Sequence, residues 1–428
     1  MNIKQITQNK VVRNANWMIG EQLVQMAISF FIGIITTRYL GPENYGVINY
    51  CAAYVAFFSS VCSLGLEGVL VKELVTHPEK EGTLVGTSLA MRLVSGLFSV
   101  GSISLILLFV DHGDPTVMAV GFLQSIVLCF KAFEVMDFWF QSKLQSRHVA
   151  IVKMISYVVV AAYKVFILAT GKSVEWFAFS TSLDFLIIAI LLIFVYRKNG
   201  GPKLAFSGGT AAFLLKNSYH FILSAFFVTI YTQMDKIMIQ KFLDDAQTGY
   251  YSIATTIFGY WVLVTTAITN ASRPSIMSKK GRNEELYMRR LKQLYAILFW
   301  SSVAAAVFFT VFGQYLIPLV YGAKYIPSIP AVIITMWYAP FSVLGTARGI
   351  WIICEDKNKY VKYYVIMGAV ANLILNAVLI PLIGIEGAAL ATFITQVFTC
   401  LIAPLFYKAT RVHTKYVLEA CILKGVRK

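Results

Sequence analysis

Charged residues are scarce in this chain. Asp, Glu, Lys and Arg make up 14% of its 428 residues, well below the roughly 25% that soluble domains carry. Hydrophobic residues reach 58% and the mean hydropathy is +0.69. This composition excludes an ordinary soluble domain and indicates a polytopic membrane protein.

Long polar connections, regular strand alternation and external cysteines are also lacking. The longest interior connection, about residues 271–290, is short and basic, so no soluble domain interrupts the membrane part. Barrel strands would alternate over about ten residues, which excludes a closed barrel. None of the six cysteines falls in a predicted external loop, so no disulfide or metal framework is predicted.

Apolar runs of the length needed to cross a bilayer, about 20 helical residues, recur twelve times. Helix-breaking joints such as Leu40-Gly41-Pro42, Asp114-Pro115 and Asn199-Gly200-Gly201-Pro202 separate them. The predicted fold class is therefore an all-α integral membrane protein with twelve transmembrane helices. The spans are 14–38, 43–65, 83–110, 115–140, 148–170, 174–196, 211–240, 247–270, 291–312, 327–352, 360–382 and 384–407.

The basic residues predict how the chain is oriented. With both termini in the cytoplasm, 27 of the 37 Lys and Arg residues lie on that side, as the positive-inside rule requires. The net charge of +16 is then mainly topological, and no nucleic acid partner is implied. Residues 1–16 form a short cytoplasmic lead, and residues 409–428 form a basic cytoplasmic tail that is a candidate interfacial helix.

The chain also divides into two blocks of six spans. We predict an N-lobe of residues 1–200 and a C-lobe of residues 201–408. The segment 38–46 matches the segment 241–249, because a basic residue, an aromatic residue, a Leu and a closing Gly keep register. Each copy follows the first span of its block, which favours a parallel duplication with a cavity between two repeats.

Six basic residues inside the predicted spans are not counted with the connections on either side of the membrane, and we take them as embedded. An ionised group at bilayer depth is costly and usually faces an aqueous cavity, so these residues suggest a path for an anionic passenger. For Lys153 and Arg348 the alternative is that the side chain snorkels to the lipid headgroups. For Lys236 the alternative is an ion pair with Asp235 at the membrane interface. An anionic passenger is therefore indicated mainly by Arg92, Lys131 and Lys164. The six candidates are Arg92, Lys131, Lys153, Lys164, Lys236 and Arg348.

Five acidic residues are embedded as well. Glu134 lies three residues from both Lys131 and Asp137, which allows either neutralisation within the helix or a role in a cavity. Asp184 and Glu21 are candidates for carrying a coupling H+ or Na+, although permanent pairing with a lysine remains open. No other cofactor or metal is predicted. The ion-coupling candidates are Asp184, Glu21, Glu134, Asp137 and Asp235.

Three segments resemble a known family. Residues 36–46, residues 235–252 with their Asp-Lys pair and Gly-Tyr-Tyr-Ser, and residues 372–389 with Asn372 and Asn376 occur in the expected order. They are similar to the polysaccharide-exporter branch of the multidrug/oligosaccharidyl-lipid/polysaccharide (MOP) flippase superfamily. We expect Asn372 and Asn376 to form interhelical hydrogen bonds.

The resemblance implies a Wzx-type flippase in the bacterial cytoplasmic (inner) membrane. Such proteins move undecaprenyl-pyrophosphate-linked oligosaccharides, such as O-antigen units of lipopolysaccharide, to the periplasmic leaflet by alternating access. The implied partners are this lipid-linked substrate and membrane lipids, with the polymerase and chain-length machinery as further candidates. A cation-coupled multidrug exporter of the same superfamily remains an alternative, as does a polysaccharide polymerase or ligase, which would be an enzyme.

Overall fold

The chain folds into α-helices joined by short turns, as seen in a computed structural model that describes residues 10–357 and 360–425. At residues 10–13, 15, 16, 224 and 231 it describes only the backbone. Most of the predicted cytoplasmic lead lies outside the described residues. The helices are α1 (Lys10–Cys62), α2 (Leu66–Thr76), α3 (Glu81–Val110), α4 (Pro115–Ser125), α5 (Val127–Phe130), α6 (Val135–Ser142), α7 (Ser146–Ala169), α8 (Val174–Lys198), α9 (Gly208–Phe242), α10 (Asp245–Met277), α11 (Glu284–Tyr321), α12 (Ile329–Cys354), α13 (Val361–Val397) and α14 (Arg411–Cys421).

Ten helical stretches of the described chain are long and apolar enough to cross a membrane. Two of the helices in these stretches contain a break. In α1 the break is at Gly41, which has φ +73° and is followed by Pro42, and in α13 it is at Ile383 and Gly384, where Gly384 has φ +65°. Glycine adopts this left-handed region without the steric cost that other residues incur. The break at Gly41 lies at a predicted joint, whereas the count of twelve spans stays a prediction.

Two local features differ from the expected spans. The short helix α2 follows the second predicted span and was not predicted. The predicted fourth span, 115–140, is interrupted: α4 and α5 are followed by a 3₁₀ turn, Lys131–Glu134, before α6 begins. A 3₁₀ segment inside a helix often marks a functional position, and here it holds two of the candidate charges.

Two compact units make up the chain. Unit 1 comprises residues 1–40 and 50–229, and unit 2 comprises residues 41–49 and 230–428. Unit 1 has a core around the fully buried Trp139, Phe140 and Leu192. Unit 2 has a core around Tyr287 and Trp351. These units do not test the predicted division into two six-helix lobes at residue 200, which stays a prediction.

The two copies of the repeated signature meet inside unit 2. A Cβ placed on Gly46 would lie 1.8 Å from the carbonyl oxygen of Asp245, and one placed on Gly249 would lie 2.1 Å from that of Pro42. Only glycine permits backbones to approach so closely, as at small-residue helix crossings in membranes. The closing Gly of each copy therefore serves the packing of one copy against the other.

The tail forms the short helix α14 and packs on unit 2. Its buried residues include His413, Val417 and Ala420, and the Tyr295 hydroxyl shares a hydrogen bond of 3.0 Å with the His413 ring. Glu419 accepts a hydrogen bond of 2.5 Å from Lys292. Val412 on the same helix is exposed. Binding of this helix to the membrane interface stays a prediction, and Arg427 lies outside the described residues.

Candidate functional site

Arg92 and Glu134 form an ion pair in unit 1, in which Arg92 is buried and Glu134 is partly exposed. The Arg92 Nη2 donates to Glu134 Oε2 at 3.1 Å, and the Arg92 side chain is only 4% exposed. The Arg92 Nε and Nη1 are buried without a hydrogen-bond partner among the described residues. Glu134 therefore neutralises Arg92, not its sequence neighbour Lys131.

A second ion pair joins Lys153 to Asp137 at 3.0 Å. Both residues line a cavity of about 270 Å³, together with Glu21, Glu67 and Glu134. Four carboxylates surround one lysine here, so this cavity is acidic. Lys153 is thus held by a carboxylate in the bundle and does not simply snorkel to the headgroups.

The two remaining candidate acids of unit 1, Glu21 and Asp184, accept hydrogen bonds from hydroxyl groups. Tyr157 donates to Glu21 Oε1 at 2.7 Å, and Ser156 donates to Asp184 Oδ1 at 2.5 Å. Asp184, Tyr157 and Lys164 line a small cavity of about 140 Å³. No ion pair or hydrogen bond joins the Lys164 side chain to another described residue, and Asp184 is the carboxylate that shares its cavity.

Lys131 lies on the wall of a cavity of about 510 Å³, which we call the Lys131 cavity. Its Nζ donates to Ser59 Oγ at 3.3 Å and lies 5.0 Å from the centre of the Phe185 ring. No described carboxylate pairs with it. The other polar residues of the wall are uncharged: Ser59, Ser60, Ser63, Gln124, Thr181 and Thr229.

Unit 2 holds its embedded carboxylate differently. Asp235 is 4% exposed and accepts hydrogen bonds from Tyr251 at 2.6 Å, Asn376 at 2.5 Å and Thr392 at 2.8 Å. Asn376 also donates to Asn372 at 3.0 Å, and Asn372 donates to Thr392 at 3.2 Å. The expected interhelical hydrogen bond is seen for Asn376, which reaches Asp235 in α9, whereas Asn372 bonds across the break within α13. We call these five residues the Asp235 cluster.

The last two basic candidates lie in unit 2 and have uncharged oxygen partners. The Lys236 Nζ donates to Asn49 Oδ1 at 3.4 Å, while the neighbouring Asp235 turns into its own cluster. The predicted interfacial pair of Asp235 and Lys236 is therefore not seen as a direct contact. Arg348 is buried, donates to the Thr399 carbonyl oxygen at 2.7 Å and lies over the Tyr364 ring, so it does not reach the headgroups.

The structure thus sorts the candidate charges into four places. Arg92 with Glu134, and Lys153 with Asp137, are paired. Lys164 shares a small cavity with Asp184, Lys131 faces a cavity of about 510 Å³, and Asp235 has a cluster of its own. Four hydroxyl partners of the candidate charges were not predicted, because hydroxyl side chains are frequent in this chain and no spacing distinguishes these four. They are Ser59, Tyr157, Tyr251 and Thr392.

Comparison with known proteins shows the family to which the chain belongs. A family model described as polysaccharide biosynthesis protein matches residues 11–279. The chain belongs to this family. The resemblance of its motifs to the polysaccharide-exporter branch of the MOP superfamily is confirmed.

Alignments with similar proteins cover nearly the whole chain. It is 20% identical over 410 residues to the capsular polysaccharide biosynthesis protein CapF of Staphylococcus aureus, covering 93% of this chain and 99% of CapF. It superimposes on the lipid II flippase MurJ in an inward closed conformation with a TM-score of 0.76 and 15% identity, covering 95% of this chain and 90% of MurJ.

A multidrug resistance MATE family transporter of the MOP superfamily, in an inward-facing conformation, is also similar. The TM-score is 0.67 at 12% identity, and the match covers 93% of this chain and 99% of the transporter. At such identities the likeness shows the fold alone. The chain therefore has the fold of MOP transporters and is a multi-pass membrane protein.

Proposed function

We propose that this protein is a flippase that moves an undecaprenyl-pyrophosphate-linked oligosaccharide from the cytoplasmic to the periplasmic leaflet of the inner membrane by alternating access. The passenger would be an O-antigen unit or a similar surface-polysaccharide unit. The breaks at Gly41 and Gly384 support twelve crossings, because they divide α1 and α13 among the ten apolar stretches.

The Lys131 cavity is the observation that carries this proposal. Of the basic candidates, Arg92 and Lys153 are already neutralised by carboxylates, whereas Lys131 faces an open volume with no described carboxylate at its side. A lysine ammonium binds phosphate as a point charge, and hydroxyl and amide groups suit the hydroxyls of a sugar. A cavity of about 510 Å³ lies in the common range of roughly 300–1,000 Å³ for small-molecule sites.

This cavity disfavours a drug exporter that handles cations. Its one charged side chain is positive, and a cationic drug would need an acidic wall to replace its hydration. The acidic cavity beside Lys153 is smaller and carries its own lysine. An anionic head group is the better match to Lys131.

The Asp235 cluster is the better candidate for coupling to an ion gradient. Asp235 contributes a carboxylate, and the buried Asn376 Oδ1 has no hydrogen-bond partner among the described residues. Among these residues no three His, Cys, Asp or Glu side chains gather to hold a metal. One carboxylate with neutral oxygens suits a hard monovalent cation, so we propose that Asp235, Asn372, Asn376 and Thr392 hold Na+.

Export of surface polysaccharide tests the function. A strain that lacks this gene is complemented with wild type, Lys131→Ala or Lys131→Arg, with equal protein in the membrane. We expect Lys131→Ala to reduce export at least tenfold and Lys131→Arg to retain part of it. The matched control is Lys172→Ala, which removes a partly exposed lysine that lines none of the described cavities. Wild-type export by Lys131→Ala would contradict the proposal.

A further inference from the structure

The connection between α8 and α9 lies against α3 in an extended form. The Ala205 backbone N–H donates to the Gly82 carbonyl oxygen at 3.1 Å, and the Ser207 N–H donates to Thr87 Oγ1 at 3.1 Å. Gly82 and Gly86, one helical turn apart, let this connection approach: a Cβ on Gly86 would lie 2.4 Å from the Ala205 oxygen. The connection is therefore fixed to the helix by its backbone.

A cavity of about 450 Å³ lies beneath this connection, and we call it the linker cavity. Its floor is apolar and consists of Leu89, Phe133, Met136 and Ile193, while Leu204 contributes to its roof. Such a wall offers water few hydrogen-bond partners, and an apolar cavity of this kind accepts hydrocarbon. Its size suits an acyl chain segment.

Two cations, Arg197 and Lys203, also line the linker cavity. Both are exposed, and no side-chain ion pair or hydrogen bond joins either to another residue in the described part of the chain. The sequence predicts that both lie on the cytoplasmic side, where anionic lipids are abundant. An apolar groove with two unpaired cations on its wall is complementary to a phosphate head group attached to an acyl chain.

We propose that the linker cavity is a binding site for an anionic phospholipid of the cytoplasmic leaflet. One acyl chain lies on the floor formed by Leu89 and Met136, and the phosphate contacts Arg197 and Lys203. The bound lipid holds the connection between α8 and α9 against α3. The site is separate from the proposed passenger site, because no residue lines both the linker cavity and the Lys131 cavity.

Lipid binding to the purified full-length protein tests this proposal. Native mass spectrometry in detergent compares phosphatidylglycerol with phosphatidylcholine of the same chains. We expect wild type to bind phosphatidylglycerol at least tenfold more tightly. The double variant Arg197→Gln/Lys203→Gln should lose this preference, and the matched control Lys198→Gln should keep it, because Lys198 neighbours Arg197 but does not line the cavity.

A second variant tests the groove without changing its charge. Leu204→Trp should fill the space under the connection and lower phosphatidylglycerol binding at least fivefold. Equal binding of phosphatidylglycerol by wild type, the double variant and Leu204→Trp would overturn the proposal. Displacement of phosphatidylglycerol by equimolar undecaprenyl phosphate would also overturn it, because the groove would then hold a polyprenyl tail.

Discussion

Unit 1 and unit 2 hold their embedded charges in different ways. In unit 1, Arg92 pairs with Glu134 and Lys153 pairs with Asp137, and four described cavities carry charged residues on their walls. In unit 2, the carboxylate of Asp235 is surrounded by neutral donors and has no ion-pair partner among the described residues. Unit 1 therefore contains two embedded ion pairs, whereas the embedded Asp235, Lys236 and Arg348 of unit 2 contact neutral partners.

This difference suggests a division of roles. A cation that faces a cavity without a counter-charge attracts an anionic passenger, and a buried carboxylate without a counter-ion attracts a small cation. The ion pairs of unit 1 then serve the structure around the passenger site. Breaking each arrangement should have a different consequence.

The largest effect is expected from breaking an ion pair of unit 1. Glu134→Met leaves the guanidinium of Arg92, whose side chain is 4% exposed, without its partner, and loss of one member of a buried pair costs about 3–5 kcal/mol. We expect a large drop in the thermal midpoint of the purified protein, and recovery of most of it in Arg92→Met/Glu134→Met. The control Lys280→Met breaks a partly exposed pair with Glu355, which is worth about 0–1 kcal/mol.

An equal loss in the single and the double variant would show that the loss comes from packing and not from the unpaired charge of Arg92. The account of Arg92 and Glu134 as a stabilising ion pair would then be wrong.

A smaller effect, stabilisation by Na+, should distinguish Asp235 of unit 2 from the acids of unit 1. At a Na+ concentration about 100 times the Kd, binding to the folded state stabilises it by about 2.7 kcal/mol. We expect wild type, Asp184→Asn and Glu21→Gln to be stabilised by NaCl relative to choline chloride, and Asp235→Asn to lose this response. Na+ stabilisation that survives Asp235→Asn and disappears in Asp184→Asn would reverse the assignment of coupling between the units.

The smallest effect concerns the tail helix of unit 2. Burial lowers the pKa of His413 well below its usual range, and Arg348 acts in the same direction. The unfolded chain binds a proton near pH 6.5 whereas the folded chain does not, so stability falls as pH drops below about 6.5, by up to roughly 1.4 kcal/mol per pH unit. Thermal midpoints at pH 7.5 and 5.5 measure this.

The control for the tail helix is His413→Gln, which removes the titrating group. We expect a lower midpoint than wild type at pH 7.5 and a smaller loss between pH 7.5 and 5.5. The same pH dependence in both proteins would assign the acid sensitivity to another residue.

Much of the fold follows from the sequence, because hydropathy and breakers act locally. The runs of apolar residues predicted the helices, and Gly41 beside Pro42 predicted a break that the structure contains. The turn at Lys131–Glu134 was missed, since its residues are ordinary for a helix. Nothing local in 115–140 indicates that the chain tightens there.

The sequence predicted which charged residues are embedded in the bundle, but it did not predict which of them form ion pairs with each other. Glu134 lies three residues from Lys131 in the chain, yet its partner is Arg92, 42 positions away. Such pairing depends on how helices pack, which hydropathy does not encode. Asn376 was predicted correctly as an interhelical donor because buried amides in a membrane need partners, whereas Asn372 donates across the break of its own helix.

The most direct measurement of the central claim is translocation by purified protein in liposomes. The probe is an undecaprenyl-pyrophosphate-linked oligosaccharide with a fluorescent sugar, and a membrane-impermeant quencher reports the leaflet. The account predicts that Lys131→Ala lowers the initial rate at least tenfold, while Lys172→Ala matches wild type. An unchanged rate in Lys131→Ala would contradict a passenger path through the Lys131 cavity.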